Sequence, residues 1–220
     1  MLVKKQQVLL NLAIFFTIAF LALYLVVLIA PNSLHDLNRN IYELTTKEIT
    51  SEKVLFFNVI SALSSTRMAL IYTGILAVVL FFIRWQIPGM WVTFTVIIGL
   101  VLGGIIRFTI RSLFSHRVEP EIGYAFPGLH VLGMVILSAI VFLIFLPYFK
   151  DRALAYLTGF ILLVWLIETS IACIYLGQLH LSDVIGAVLF GFSWVMFSSF
   201  LYRKHAQKLK QYPKFKFSNI

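Results

Sequence analysis

Residues 175–191 read YLGQLHLSDVIGAVLFG. A histidine, His180, stands where polar sequence gives way to a long apolar run, and Asp183 follows three residues on. An earlier stretch, GYAFPGLHVLGM at 123–134, places His130 at the edge of another such run. Ionisable groups at membrane depth are costly, and their presence there points to function by default. On a helix, His180 and Asp183 share a face, so the carboxylate can reach the imidazole. A carboxylate bonded to one ring nitrogen fixes the tautomer and raises basicity at the other, which suits a nucleophile or base. The plainer reading is that Ser182 or Asp183 caps the start of a helix. The two roles are compatible.

The surroundings of these stretches define a membrane protein. The chain has 220 residues, 60% hydrophobic and 12% charged, against about 25% charged in soluble domains. The first apolar run, Val8–Ala30, is longer than the roughly 7–15 residues of a signal-peptide core and reads as an uncleaved span. Further runs at about 68–83, 89–108, 131–148, 153–174 and 184–202 fit the roughly 20 residues needed to cross hydrocarbon. The expectation is one all-α domain over 1–220 with six transmembrane helices. Val54–Thr66 is apolar but short, and reads as a re-entrant or interfacial piece or as the start of span two. The expected layout leaves 31–66 as an extracytoplasmic or interfacial segment and 203–220 as a basic cytoplasmic tail. The single cysteine, Cys173, excludes an internal disulfide.

Charge sets the expected orientation. Lys4, Lys5, Arg84, Lys150, Arg152 and the tail lysines fall on one side against Asp151 alone. On the other side the basic residues are balanced by Asp36, Glu43, Glu48, Glu52, Glu119 and Glu121. The positive-inside rule then puts both termini in the cytoplasm of a plasma-membrane protein and His130, His180 and Asp183 at the outer face. The net charge of +9 is concentrated in the tail Arg203–Lys216. A juxtamembrane tail of this kind reads as attraction to anionic lipid headgroups rather than nucleic-acid binding. Gly99 and Gly103 form a G-x-x-x-G that permits close helix approach.

Three polar clusters fall on the outer side. The third span ends in RFTIRSLFSHRVEP, residues 107–120, with Arg107, Arg111, His116, Arg117 and Glu119. The fourth begins at PGLH, 127–130, and the sixth at HLSD, 180–183. A bundle that brings them together makes one outward-facing pocket; the alternative is three separate interfacial anchors. Glu168, well inside the fifth span, is expected to be protonated or paired with Arg107 or Arg111.

This arrangement resembles the type 2 phosphatidic acid phosphatase superfamily of membrane lipid phosphatases, with motifs K-x6-R-P, P-S-G-H and S-R-x5-H-x3-D. The resemblance covers about Val54 to Phe200 and is strongest at FPGLH and YLGQLHLSDVIGAVLFG. It implies a six-span helical core and metal-free, cofactor-free chemistry. His180 would attack phosphorus, Asp183 would orient it, and His130 would protonate the leaving group. Arg111, Arg107, Arg117 and Gly128 would hold the phosphate.

The departures from the family pattern fall on the phosphate cradle. Arg111 takes the lysine position, Glu119 falls where an arginine is usual, Gly128 replaces serine and Leu129 replaces glycine. Ala172 and Cys173 stand in place of S-R. Counted back from Asp183, Leu179 occupies the nucleophile's place, so His180 is one residue late. A histidine in the turn before the helix absorbs that shift; a helical one is turned away by about 100°. Leu129 is expected to fill space where backbone amides approach the phosphate. A carboxylate about 4 Å from the anion costs about 4 kcal/mol at an effective dielectric of 20. The expectation is therefore an outward pocket for lipid headgroups, weakly active or inactive, in a binding or transport-associated protein. The alternatives are an active lipid phosphate or pyrophosphate phosphatase acting on phosphatidate-like or polyprenyl lipids, and an unrelated six-span transporter. Membrane lipids are the expected partners in the first two cases; oligomeric state is not legible.

Overall fold

The computed structural model describes residues 6–30, 32–114, 125–145, 151–209 and 211. They form eight helices: α1 (Gln6–Ile29), α2 (Asn32–Thr45), α3 (Ser51–Leu63), α4 (Thr66–Phe82), α5 (Gln86–Phe114), α6 (Leu129–Phe145), α7 (Arg152–Tyr175) and α8 (Leu181–Leu209). The described residues contain no strand.

By length and composition, α1, α5, α7 and α8 can each cross a membrane. The pair α3 and α4 passes the same test together but bends by 48° at its break. The Val54–Thr66 segment is thus most of a separate helix that ends where span two begins. Its end is chemically marked. Ser65 is the N-cap of α4 and accepts from the Met68 amide at 3.3 Å. The Ser64 hydroxyl meets the Thr169 hydroxyl of α7 at 2.7 Å, which fixes the break against its neighbour. The apolar stretch of α6, Leu129–Leu143, is shorter than the others.

The core is built around α6. Val131, Leu132, Val135, Ile136 and Ile140 are all fully buried, and α6 packs against α4, α5, α7 and α8. A helix apolar on every side can be enclosed by others, and its sequence LHVLGMVILSAIVF is of that kind. Gly99 and Gly103 allow the approach: a Cβ at Gly99 would stand 2.7 Å from Ile136 Cδ1, and one at Gly103 would strike Leu132. The G-x-x-x-G face of α5 therefore seats α6. On the opposite flank α1 lies along α8, with Phe16 stacked on Phe192 at 5.4 Å and the Thr17 and Ser193 hydroxyls at 2.6 Å. Large apolar side chains such as Phe15, Ile18, Phe108 and Phe160 remain exposed on the outside of the bundle, as expected where lipid is the solvent.

Helix α2 is different. It is too polar to span, and its inward stripe of Leu34, Asn38, Ile41 and Thr45 faces α7 and α8.

Candidate functional site

The site is built at the ends of three helices: the last turns of α5, the start of α6 and the turn from α7 into α8. Helix α7 ends at Tyr175, and Gly177, with φ of +65°, turns the chain where a side chain would be strained. Residues 176–180 form a short connection, and α8 begins at Leu181. His180 is therefore the residue just before the helix. The one-residue shift read from the sequence is absorbed in that turn.

Asp183 occupies the third helical position and folds back on the turn. Its Oδ2 accepts from the His180 backbone N–H at 2.9 Å and lies 3.5 Å from His180 Nδ1. The same oxygen caps the start of α8 and stands beside the imidazole. Asp183 is completely buried, and its Oδ1 has no hydrogen-bond partner among the described residues. The His180 ring is partly exposed, at 35%. A fixed buried carboxylate beside an accessible imidazole is an arrangement that can raise basicity at the outward nitrogen.

The PGLH segment is bound directly to this turn. The Gly128 N–H donates to the Asp183 carbonyl at 3.1 Å. Phe126 is fully buried, stacks on Phe20 at 5.7 Å and packs over Gly186, where a Cβ would strike its ring. His130, half-buried in the first turn of α6, lies within electrostatic reach of Arg107 on α5. The start of α6 is thus joined to the turn before α8 by a hydrogen bond and lies within electrostatic reach of α5.

Several expectations are corrected or fall elsewhere. Leu129 does not obstruct the site: it turns toward α5, where its Cδ2 would stand 3.2 Å from a Cβ at Gly103. The side chain beside Gly128 is Leu179, which is buried and would lie 2.6 Å from a Cβ there. The Gly128 amide is committed to Asp183 rather than directed at an anion. Arg107 is half-buried and Arg111 exposed. Arg117, His116 and Glu119 lie outside the described residues. Glu168 is half-buried and makes no ion pair with Arg107 or Arg111; both of those arginines sit on α5, whereas α7 packs chiefly against α2, α3 and α6.

Two polar side chains escaped the sequence reading. Asn38 of α2, only 2% exposed, binds the start of α8 twice: its Oδ1 accepts from the Ser182 N–H and its Nδ2 donates to Ser182 Oγ, both at 3.1 Å. Ser61 of α3 donates to Gln178 Oε1 at 2.8 Å. A polar residue in the middle of the inward stripe of α2 was the available signal for Asn38.

The fold and the site together define a polytopic helical membrane protein with a histidine–carboxylate pair at one end of its bundle. Residues 104–207 match the PAP2 superfamily model, and over that segment the chain is similar to that superfamily. That segment holds His130, His180, Asp183, Arg107 and Arg111. The crystal structure described as the first transmembrane PAP2 type phosphatidylglycerolphosphate phosphatase, from Bacillus subtilis, is similar with a TM-score of 0.66. The two chains are 16% identical, over 91% of this chain and 98% of that one. Likeness at that identity establishes the fold. No curated protein sequence matches the chain.

Proposed function

We propose that this protein is a divergent, slow lipid phosphatase of the PAP2 superfamily, acting without a metal on a lipid phosphate or pyrophosphate headgroup. The observation that carries the reading is the His180–Asp183 pair: the imidazole stands 3.5 Å from a buried carboxylate despite the shifted spacing. His180 attacks phosphorus through its outward nitrogen, and Asp183 stabilises the imidazolium side of the reaction. His130 gives a proton to the leaving alcohol or phosphate as the P–O bond breaks, then takes one from the water that hydrolyses the phosphohistidine and frees His180. Arg107 and Arg111 hold the phosphoryl oxygens, where positioning and charge do most of the work. The reading includes six spans with α3 and α4 as one broken span, both termini in the cytoplasm, and the site at the outer face of the plasma membrane. The basic tail lies against anionic headgroups.

Slowness follows from the cradle. The Gly128 amide is occupied by Asp183 and Leu179 closes the space beside it. Losing one oxyanion donor costs about 2.7–4 kcal/mol, on the order of 10²–10³ in rate. That same observation favours a second reading, a headgroup-binding protein with no turnover. The deciding experiment is phosphate release from dioctanoyl phosphatidate and from a short polyprenyl pyrophosphate by the purified chain. The phosphatase reading expects vanadate-sensitive release that is lost in His180→Ala. Release no greater than that of His180→Ala, with the lipid phosphate still bound, selects the binding reading.

A further inference from the structure

The first turn of a helix leaves backbone N–H groups without internal partners, and a short polar side chain at the N-cap ordinarily takes one of them. At α8 the N-cap position is His180, whose ring is held beside Asp183 instead. The missing acceptor comes from elsewhere in the chain. Asn38 Oδ1 accepts from the Ser182 amide, the second helical residue, where a cap would normally bind. The reciprocal half of the capping box, a carboxylate at the third position reaching back to the cap residue's own N–H, is supplied by Asp183. The box is thus divided between two chain segments, and position 180 is left open for an imidazole.

Asn38 is suited to this. It is buried, as is Ser182, so water does not compete for the pair. Its two bonds use both ends of one planar amide, which fixes its rotation as well as its position. The chain that follows α2 is tied to the end of α7: the Tyr175 hydroxyl donates to the Glu48 carbonyl at 3.3 Å, and Phe57 of α3 packs on Tyr175 with ring centroids 4.6 Å apart.

We propose that Asn38 is a positioning residue, which caps α8 from outside the helix and thereby holds His180 against Asp183. The proposal rests on the reading of that pair as the reacting groups. Without Asn38 the Ser182 amide is unpartnered in a buried place, and the turn relaxes toward one that satisfies it. The imidazole then leaves its register with Oδ2 while the headgroup contacts from α5 stay where they are. The effect falls on kcat and spares KM.

The test uses the full chain in detergent, with dioctanoyl phosphatidate as substrate and the monodisperse fraction on size exclusion to count folded sites. Asn38→Ala is expected to lower kcat per site about tenfold with KM within a factor of two. Asn38→Asp keeps an oxygen for the Ser182 amide and is expected to recover most of that loss. Ser182→Ala, which removes only the Oγ bond, is expected to lower kcat less than Asn38→Ala and serves if the latter folds poorly. A kcat per site unchanged in Asn38→Ala overturns the proposal, as does an Asn38→Asp variant no better than Asn38→Ala. If Ser182→Ala alone can be purified, an unchanged KM with a lowered kcat supports the proposal and a raised KM with constant kcat overturns it. Should the parent chain release no phosphate, orthovanadate binding by calorimetry separates the two ideas. Binding that depends on both His180 and Asn38 sinks hydrolysis and keeps the clamp; binding that ignores Asn38, or no binding at all, ends the clamp as well.

Discussion

Two kinds of helix start coexist in this molecule. Helices α3, α4 and α7 begin in the ordinary way: Thr50, Ser65 and Asp151 each accept from an amide two or three residues ahead. Each signal is local and needs no other part of the fold. Helix α8 begins on a histidine, and its capping groups come from Asp183 and from Asn38, 144 residues away in sequence. Local rules are broken at functional sites and satisfied from a distance. The contrast separates what a residue does for the helix from what it does for the reaction, and substitutions can pull those apart.

The largest effect is expected at His180. His180→Ala leaves the Asp183 side chain and the backbone N–H it binds in place, so the cap survives. Phosphate release should fall to background, on the order of 10³-fold or more, with thermal unfolding shifted little. A variant that keeps its turnover breaks the proposed chemistry outright.

Asp183→Asn sharpens the same comparison. An asparagine oxygen can still accept from the His180 N–H, so α8 keeps its start, but the charge beside the ring is gone. The expected result is a kcat lower by about 10²–10³ with unfolding changed by less than about 1 kcal/mol. Equal losses of stability and rate would make Asp183 a cap alone.

Gly128→Ser, which restores the family residue at that position, should not restore activity. The new side chain meets Leu179 at van der Waals overlap, since even a Cβ there lies 2.6 Å from Leu179 Cδ1. Overpacking of this kind costs about 1–3 kcal/mol. Gly128→Ser with Leu179→Ala should recover the stability and, by opening the cradle, raise turnover. If the double variant is as slow as the parent, the closed cradle is not what limits the rate.

Much of the fold was legible in the sequence, and less of the site. Five apolar runs became the helices α1, α5, α6, α7 and α8, because a continuous hydrophobic stretch has few ways to satisfy its backbone in lipid. The ambiguity at Val54–Thr66 was also real, since the bend at Ser64–Ser65 is held by a hydroxyl pair with Thr169 that no local reading contains. At the site, Gly128 N–H on the Asp183 carbonyl joins the segment that carries His130 to the one that carries His180 and Asp183. The side-chain directions were not legible. The sequence pointed to Leu129 as the side chain that fills the cradle. Only the packing of α6 on Gly103 sends Leu129 inward to α5 and leaves Leu179 beside Gly128. Glu168 was expected to be protonated or to find an arginine; Arg107 and Arg111 are carried by α5, whereas α7 packs chiefly on α2, α3 and α6.

The smallest effect is expected at a local cap, and it serves as the control for the others. Asp151→Ala removes the Asp151 Oδ1 bond to the Ala153 amide, 2.8 Å long and exposed. Loss of such a cap costs about 0.5–2 kcal/mol, with exposed sites at the low end because water takes over the amide. Helix α7 would fray by part of a turn at Arg152, while its far end, where Tyr175 leads into the Gly177 turn, is fixed by Phe57 and Glu48. Unfolding temperature should fall by a few degrees and kcat should not move. If Asp151→Ala slows turnover as much as Asn38→Ala does, helix capping in general limits this protein. The distinction between a start capped locally and one capped from α2 would then carry no functional meaning.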